Sequence, residues 1–168
     1  MKLKDGQVEL RGLTLEDAYT SVNWRNNPKV WAQTVNAPNK IITLEDEINW
    51  ITRVIQEDDS KRFAILYDDI YVGNIQLTNI TKEESYYGIF IGNTDYWGLG
   101  IGSRAVPLIL KVAFEVLGLK KVKIRIRINH TVIYKIHDRL GFKETSRDDE
   151  LIYMELLNNQ YQMNAGGS

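Results

Sequence analysis

The segment Val122-Lys123-Ile124-Arg125-Ile126-Arg127-Ile128 alternates apolar and basic residues without a break. A period of two sends successive side chains to opposite faces of a strand. This segment therefore reads as a strand with one face in a core and one wet, basic face, and such a strand needs neighbours. Val8-Glu9-Leu10-Arg11-Gly12-Leu13 also alternates. Phe63 to Tyr67 and Tyr71 to Leu77 are strand-like runs separated by Asp68-Asp69-Ile70, a hairpin spacing that predicts an antiparallel pair. Tyr86 to Gly92 gives a further strand, and short strands are expected near Phe142 and from Leu151 to Leu156.

Helical periodicity fills the intervals. Thr14 with Asp17, and Thr43 with Asp46, are variants of the capping box. The first opens a helix predicted to reach about Asn27 and to stop at Pro28. The second precedes Ile48, Ile51, Val54 and Ile55, which share one helix face ending near Asp58-Asp59-Ser60. A longer helix is expected from about Gly102 to Leu117, with Val106, Ile109, Leu110, Ala113 and Leu117 as its buried stripe and Gly118 as its stop. A short one should end near Leu140. Hairpins first, then strand, helix, strand, helix, strand, predict an α/β mixed sheet and not a doubly wound one. With 168 residues, 43% of them hydrophobic, the chain fits one domain. That domain is expected over residues 1–157. Residues 158–168 lose periodicity and end Asn164-Ala165-Gly166-Gly167-Ser168, the composition of a disordered tail or of appended residues.

Several function classes drop out. A net charge of −1 provides no basic field for phosphodiester backbones, so nucleic acid is not an expected partner. The chain has no cysteine, which excludes disulfides, thiolate metal sites and an acyl group parked on a protein thiol. Its two histidines, His130 and His137, would lie roughly 10 Å apart along a helix, so no metal is expected. Apolar stretches reach only about eight residues, and Lys2, Lys4, Asp5 and Glu9 fill the beginning. Neither a membrane span nor a secretory signal is read, and the expected location is the cytoplasm.

The segment with most chemical content is Trp97-Gly98-Leu99-Gly100-Ile101-Gly102-Ser103, between a predicted strand and a predicted helix. Glycines let the backbone turn tightly and approach a ligand, while free amides and the dipole at a helix start attract phosphate. Two familiar nucleotide loops fail here. A P-loop needs lysine and a hydroxyl after the last glycine, where this chain has Ser103-Arg104. A dinucleotide fingerprint needs its third glycine one residue later and an acidic residue about twenty further on, where Lys120-Lys121-Val122-Lys123 stands.

These residues resemble the GNAT superfamily of N-acetyltransferases, whose signature Gln/Arg-x-x-Gly-x-Gly/Ala lies between the family's fourth strand and third helix. The resemblance extends to the Leu10-Arg11 opening strand, Trp24-Arg25-Asn26-Asn27-Pro28, Tyr71-Val72-Gly73-Asn74-Ile75 and Leu140-Gly141-Phe142. It implies a single-domain, mostly antiparallel mixed sheet flanked by about four helices, with the fourth and fifth strands splayed. It also implies acetyl-CoA as co-substrate and direct transfer of acetyl to a primary amine. On that resemblance Ile89, Phe90 and Ile91 meet pantetheine and the acetyl carbonyl. Trp97, Gly98, Leu99, Gly100, Ile101, Gly102, Ser103 and Arg104 form the phosphate loop, and His130 stands at the family's Asn position.

Trp97 replaces the family's usual Gln or Arg, and His137 falls where the family often carries the Tyr that protonates departing coenzyme A. Tyr134, one turn earlier, is the second candidate for that role. The family's acidic residue near the start of the fourth strand aligns with Tyr86, leaving Glu83 and Glu84 slightly upstream, with Glu84 as the candidate base. A base matters most for a lysine-like amine, whose deprotonation at pH 7 costs roughly 4 to 5 kcal/mol against about 1 for an α-amine. Trp24, Arg25 and Asn26 border the expected acceptor pocket. The stripe Lys121, Lys123, Arg125 and Arg127 reads as a solvated face. The branch resembled contains ribosomal-protein N-terminal acetyltransferases and nucleotide-linked amino-sugar acetyltransferases. The expected acceptor is a small-molecule amine such as a nucleotide-linked amino sugar, since Trp and Tyr near the pocket suit a base. The alternatives are a peptide N-terminus, or an acyl-CoA sensor without turnover. Many members of the family form homodimers.

Overall fold

The computed structural model describes residues 3–32 and 38–166. Its strands are β1 (Leu3–Asp5), β2 (Val8–Gly12), β3 (Lys61–Tyr67), β4 (Ile70–Thr78), β5 (Glu84–Ile91), β6 (Lys121–Arg127), β7 (Lys143–Arg147) and β8 (Leu151–Leu157). Its helices are α1 (Ala18–Arg25), α2 (Pro28–Trp31), α3 (Leu44–Val54), α4 (Ile101–Lys111), α5 (Thr131–Arg139) and α6 (Asn158–Gly166). All eight strands form one sheet in the order β1-β2-β3-β4-β5-β6-β8-β7. Every neighbouring pair is antiparallel except β5 and β6, which run parallel.

Local chemistry accounts for most boundaries. Both capping boxes form: Thr14 and Asp17 open a 3₁₀ turn that leads into α1, and Thr43 and Asp46 open α3. Asn27 accepts from the Lys29 amide, so α2 begins at Pro28 and does not continue α1. The β3–β4 hairpin turns on Asp68 and Asp69, both at positive φ, as a two-residue turn with the right twist demands. The long helix is α4 followed by a π-helical turn over Val112–Val116.

One face of the sheet carries α4. Ile101, Ala105, Val106 and Ile109 of that helix pack with Ile75 and Leu77 of β4, Tyr87 of β5, and Ile124 and Ile126 of β6. The other face carries α1 and α3, with Leu13, Ala18, Ile51 and Ala64 buried and Ile48, Trp50 and Tyr71 packed around them. A bulge in β4 serves this second face. Ile65 pairs with Gly73 but Leu66 pairs with Tyr71, so Val72 is an extra residue. Val72 stays in the α4-side core with Ile75, and Tyr71 is turned to the opposite face.

The C-terminal stretch departs from the expectation of a disordered tail. Residues 158–166 are α6, fixed by polar and aromatic anchors that hydrophobic periodicity does not register. Asn158 donates from its backbone to the Lys120 carbonyl and from its side chain to the Leu119 carbonyl. The Tyr161 hydroxyl donates to Glu115 at 2.5 Å, and its ring lies 4.8 Å from that of Phe114.

Candidate active site

The break in the sheet defines the site. β5 and β6 pair only over Glu84↔Lys121, Ser85↔Val122 and Tyr86↔Lys123, then diverge, which is the expected splay. The Gly92 amide donates to the Val72 carbonyl of β4 at 2.8 Å. Strand alternation then turns the backbone N–H and C=O groups of Tyr87, Ile89 and Ile91 away from β4, into the gap. Their side chains lie on the α4 face, whereas Phe90 faces α1.

At the open end of the gap the chain turns through Gly98 (φ 81°) and Gly100 (φ 74°) into α4. Gly100 is the N-cap residue and has no side chain to cap the helix, so the first amides of α4 point outward without partners inside the helix. A Cβ added at Gly98, Gly100 or Gly102 would meet nothing within 4 Å, so the backbone of this loop faces open space and could cradle a ligand. Trp97 has a definite role: its indole Nε1 donates to the Ile91 carbonyl at 2.7 Å, pinning the loop to the end of β5. Arg104 turns elsewhere, its guanidinium 3.4 Å from the Gln7 side-chain carbonyl in the β1–β2 hairpin. Leu99 and Ser103 are exposed, and His130 stands half-buried just before α5.

The catalytic candidates fare differently. Glu84 sits at the closed end of the splay, where Lys123 contacts its carboxylate and Lys121 lies 4.0 Å away. The hydrogen bond from Lys123 and the two positive charges hold its pKa below the ordinary value. A carboxylate so placed is a rung between strands and a poor base, which corrects the expectation. The same contacts show that the basic stripe is partly an ion-pair ladder, since Lys121 also lies 3.7 Å from Glu155.

His137 is fully buried on α5, its ring 5.4 Å from that of Tyr87 and 5.1 Å from that of Phe142. Its Nδ1 lies 2.7 Å from the Ile133 carbonyl, and a carbonyl only accepts, so Nδ1 carries the proton. Burial pushes its pKa down to about 4. The imidazole is thus neutral near pH 7 and is not the imidazolium that a proton donor requires. Its Nε2 and the Tyr87 hydroxyl are both buried without a hydrogen-bond partner, at the first rung past the paired end of the splay. Tyr134 points to the sheet edge, where its hydroxyl donates to Glu144 at 3.1 Å.

Sequence reasoning placed Trp24, Arg25 and Asn26 together, and the structure divides their work. Trp24 is a wall: its ring lies 4.7 Å from that of Tyr71 and 6.1 Å from that of Phe90, and a Cβ on Gly92 would come within 2.0 Å of it. Asn26 is a clamp. Its amide donates to the carbonyls of Ile42 (2.7 Å) and Val22 (3.1 Å) and accepts from the Ile42 amide (2.8 Å), so it closes the α1-to-α3 connection and has little left to offer an acceptor. Arg25 lies over Trp50 at 4.8 Å, with its Nε 3.6 Å from Glu47.

Glu47, Ser21 and Tyr71 were not anticipated. Glu47 and Ser21 are buried, and Tyr71 donates to Asn74 at 2.5 Å on the same face. One signal was present in the sequence: Glu47 precedes Ile51 and Val54 by four and seven residues, so a carboxylate stands on the apolar stripe of its helix. Among the described residues no three His, Cys, Asp or Glu side chains gather as a metal site, and no helix is long and apolar enough to cross a membrane.

Known proteins bear on this arrangement. The sequence pattern of the Acetyltransferase (GNAT) domain family matches residues 7–143. An uncharacterised protein of Methanocaldococcus jannaschii, MJ1062, is 28% identical over 161 residues, covering 89% of this chain but 31% of its own length, so the chain spans about a third of that relative. The spermidine N-acetyltransferase of Vibrio cholerae, solved with CoA and spermine, superposes with a TM-score of 0.84 at 18% identity over 94% of this chain and 99% of that one. FdhC, a nucleotide-linked sugar GNAT solved without ligand, gives 0.85 at 18% identity over 99% and 96%.

Proposed function

The chain belongs to the GNAT acetyltransferase family, and from that premise we propose that it transfers an acetyl group from acetyl-coenzyme A directly to the primary amine of a small molecule. The observation that carries the reading is the junction of the β5–β6 gap with the uncapped, glycine-lined start of α4. The gap offers the N–H and C=O of Ile89 to an extended, amide-bearing arm such as pantetheine. The cradle from Gly98 to Gly102 offers amides and a helix dipole to a pyrophosphate, and the open space at each glycine admits it. When bound, the coenzyme supplies an activated thioester carbonyl.

This chain's residues do the rest. Trp97 holds the cradle against β5, and Trp24, Tyr71 and Phe90 wall the opposite side of the gap, from which an acceptor would approach. Support for a small amine comes from that wall of aromatic rings, suited to an aliphatic amine or to a stacked base, and from fold relatives that handle spermine and nucleotide-linked sugars. A nucleotide-linked amino sugar remains the more specific reading. Calorimetric titration with acetyl-CoA, followed by an amine panel read with a thiol dye, tests the proposal. The cysteine-free chain gives no background. Stoichiometric binding and thiol release with polyamines or amino sugars are expected. Absence of acetyl-CoA binding removes the reading, and release with peptide N-termini alone replaces its acceptor.

A further inference from the structure

Glu47 occupies the first turn of α3 with its side chain fully buried, and neither carboxylate oxygen has a hydrogen-bond donor. A buried polar atom without a partner is rare in folded proteins, and a carboxylate is the costliest kind. The groups around it are unsatisfied as well. Ser21 and Arg25, one turn apart on α1, face Glu47, yet the Ser21 hydroxyl and the Arg25 Nε are themselves without hydrogen-bond partners. The guanidinium stays 3.6 Å from the carboxylate and rests instead over the Trp50 ring. Glu47, Ser21 and the Arg25 Nε thus lie together without close hydrogen-bond partners, and Arg25, a third exposed, makes only a long ion pair of 3.6 Å with the carboxylate.

This cluster borders the proposed acceptor side. Tyr71 of β4 adjoins Val72, whose carbonyl takes the amides of both Gly92 and Asn93 where β5 ends and the gap is open. Trp24, beside Arg25, spans from Tyr71 to Phe90. The charged and titratable groups facing Glu47 are Arg25 of α1 and Tyr71 of β4, whose hydroxyl is bonded to Asn74 and kept protonated by burial.

We propose that Glu47 is the carboxylate that receives the acceptor's ammonium group, with Arg25 moving aside along Trp50 to admit it. The proposal rests on the acetyltransferase reading for its chemistry. The ammonium gives one proton to Glu47. The freed nitrogen lone pair forms a C–N bond at the thioester carbonyl as the C–S bond breaks, the second nitrogen proton goes to the thiolate, and Glu47 returns its proton to water. The products are an amide, a thiol and one proton. Burial raises the Glu47 pKa, with Arg25 and Ser21 offsetting only part of the effect, which suits a base that must take a proton near neutrality. Specificity follows: the acceptor bears a compact aliphatic ammonium able to take the place of the Arg25 guanidinium beside Glu47.

The test compares wild type with Glu47→Gln, using the amine that the panel turns over best and following kcat/KM across pH. Loss of about a hundredfold or more is expected, together with disappearance of an acidic limb that in wild type lies above the ordinary glutamate range. Acetyl-CoA affinity by calorimetry should stay within about twofold. A variant within about threefold of wild type, with the limb unchanged, overturns the proposal, and a lowered Tm would then mark Glu47 as a brace between α1 and α3. A second measurement on wild type needs neither turnover nor a folded variant. Carboxyl-carbon NMR of Glu47 is titrated with and without methylammonium chloride, and the added cation should lower its pKa. An unmoved titration overturns the proposal even in a protein that binds no acetyl-CoA, whereas a moved one without acetyl-CoA binding keeps the amine site and removes the transferase reading.

Discussion

The two sides of the β5–β6 gap are built by opposite means. On the α4 side, binding capacity comes from backbone: two glycines at positive φ, a helix start without a side-chain cap, and open space where side chains would stand. On the α1–α3 side the proposed capacity comes from side chains, the buried Trp24 and Glu47 and the half-buried Tyr71, brought together from α1, α3 and β4. The first is local in sequence and indifferent to most neighbours, while the second exists only once the sheet, its bulge and two helices are assembled. A ligand recognised by amides tolerates sequence change around the loop. A ligand recognised by the second side should vary between relatives of the same fold, as spermine in the Vibrio cholerae enzyme and a nucleotide-linked sugar for FdhC do.

The comparison can be broken most sharply at Gly102. This glycine lies inside α4 at ordinary φ with nothing within 4 Å of a Cβ, so a side chain there meets no steric penalty. Replacing glycine inside a helix by a better helix former gains about 0.5–1 kcal/mol. Gly102→Leu should therefore leave Tm unchanged or raised while acetyl-CoA affinity falls by about a hundredfold or more, because the cradle is filled. Affinity within about threefold of wild type would show that the cradle is not where the coenzyme binds. Gly98 and Gly100 make poorer tests, since their positive φ would add strain to lost binding.

The α4 side also holds His137, packed on Tyr87 near the closed end of the gap, and there the expected effect is on stability. Its folded pKa of about 4 lies below the unfolded value near 6.5. The unfolded chain binds the proton first as pH falls, so the stability present above pH 6.5 drains away between there and pH 4. Full loss amounts to roughly 3 kcal/mol. Thermal melts from pH 7 to 4 should show a steep fall in wild type and a shallower one in His137→Gln. Parallel curves would mean that the imidazole is not held neutral, and would restore it as a candidate acid.

Legibility in the sequence follows the same division. Strand alternation in Val122 to Ile128, the two threonine caps and the glycine turn are short-range signals, and each produced the element expected of it. The glycine turn into α4 was visible because its backbone conformation is encoded directly in glycine spacing. β1 and α6 escaped because neither carries an apolar stripe: a three-residue strand is set by its partner, and α6 by Asn158 and Tyr161 reaching distant groups. Glu84 and Glu47 show the limit most clearly. Both are glutamates near a helix or strand start, and only their surroundings, two lysines around the partly exposed carboxylate of one and full burial beside Arg25 and Ser21 for the other, separate an ion-pair rung from a candidate base. Tyr71 faces the site because Val72 is bulged, a register detail set by pairing with β3.

Asn26 tests whether the acceptor side depends on assembly as strongly as the coenzyme side does not. Its amide makes three hydrogen bonds, two of them to the backbone of Ile42 sixteen residues away, and so fixes both ends of the connection that carries α2. Truncation in Asn26→Ala leaves the Ile42 N–H and C=O without those partners in a half-buried setting, at a cost of about 2 kcal/mol. The same loss frees the end of α1 that holds Trp24 and Arg25, so the acceptor KM should rise with acetyl-CoA affinity unchanged. Coupled effects on both ligands would mean that the two sides form one cooperative unit. A rise in acceptor KM without any change in Tm would instead return Asn26 to the role first read for it, a direct contact with the amine.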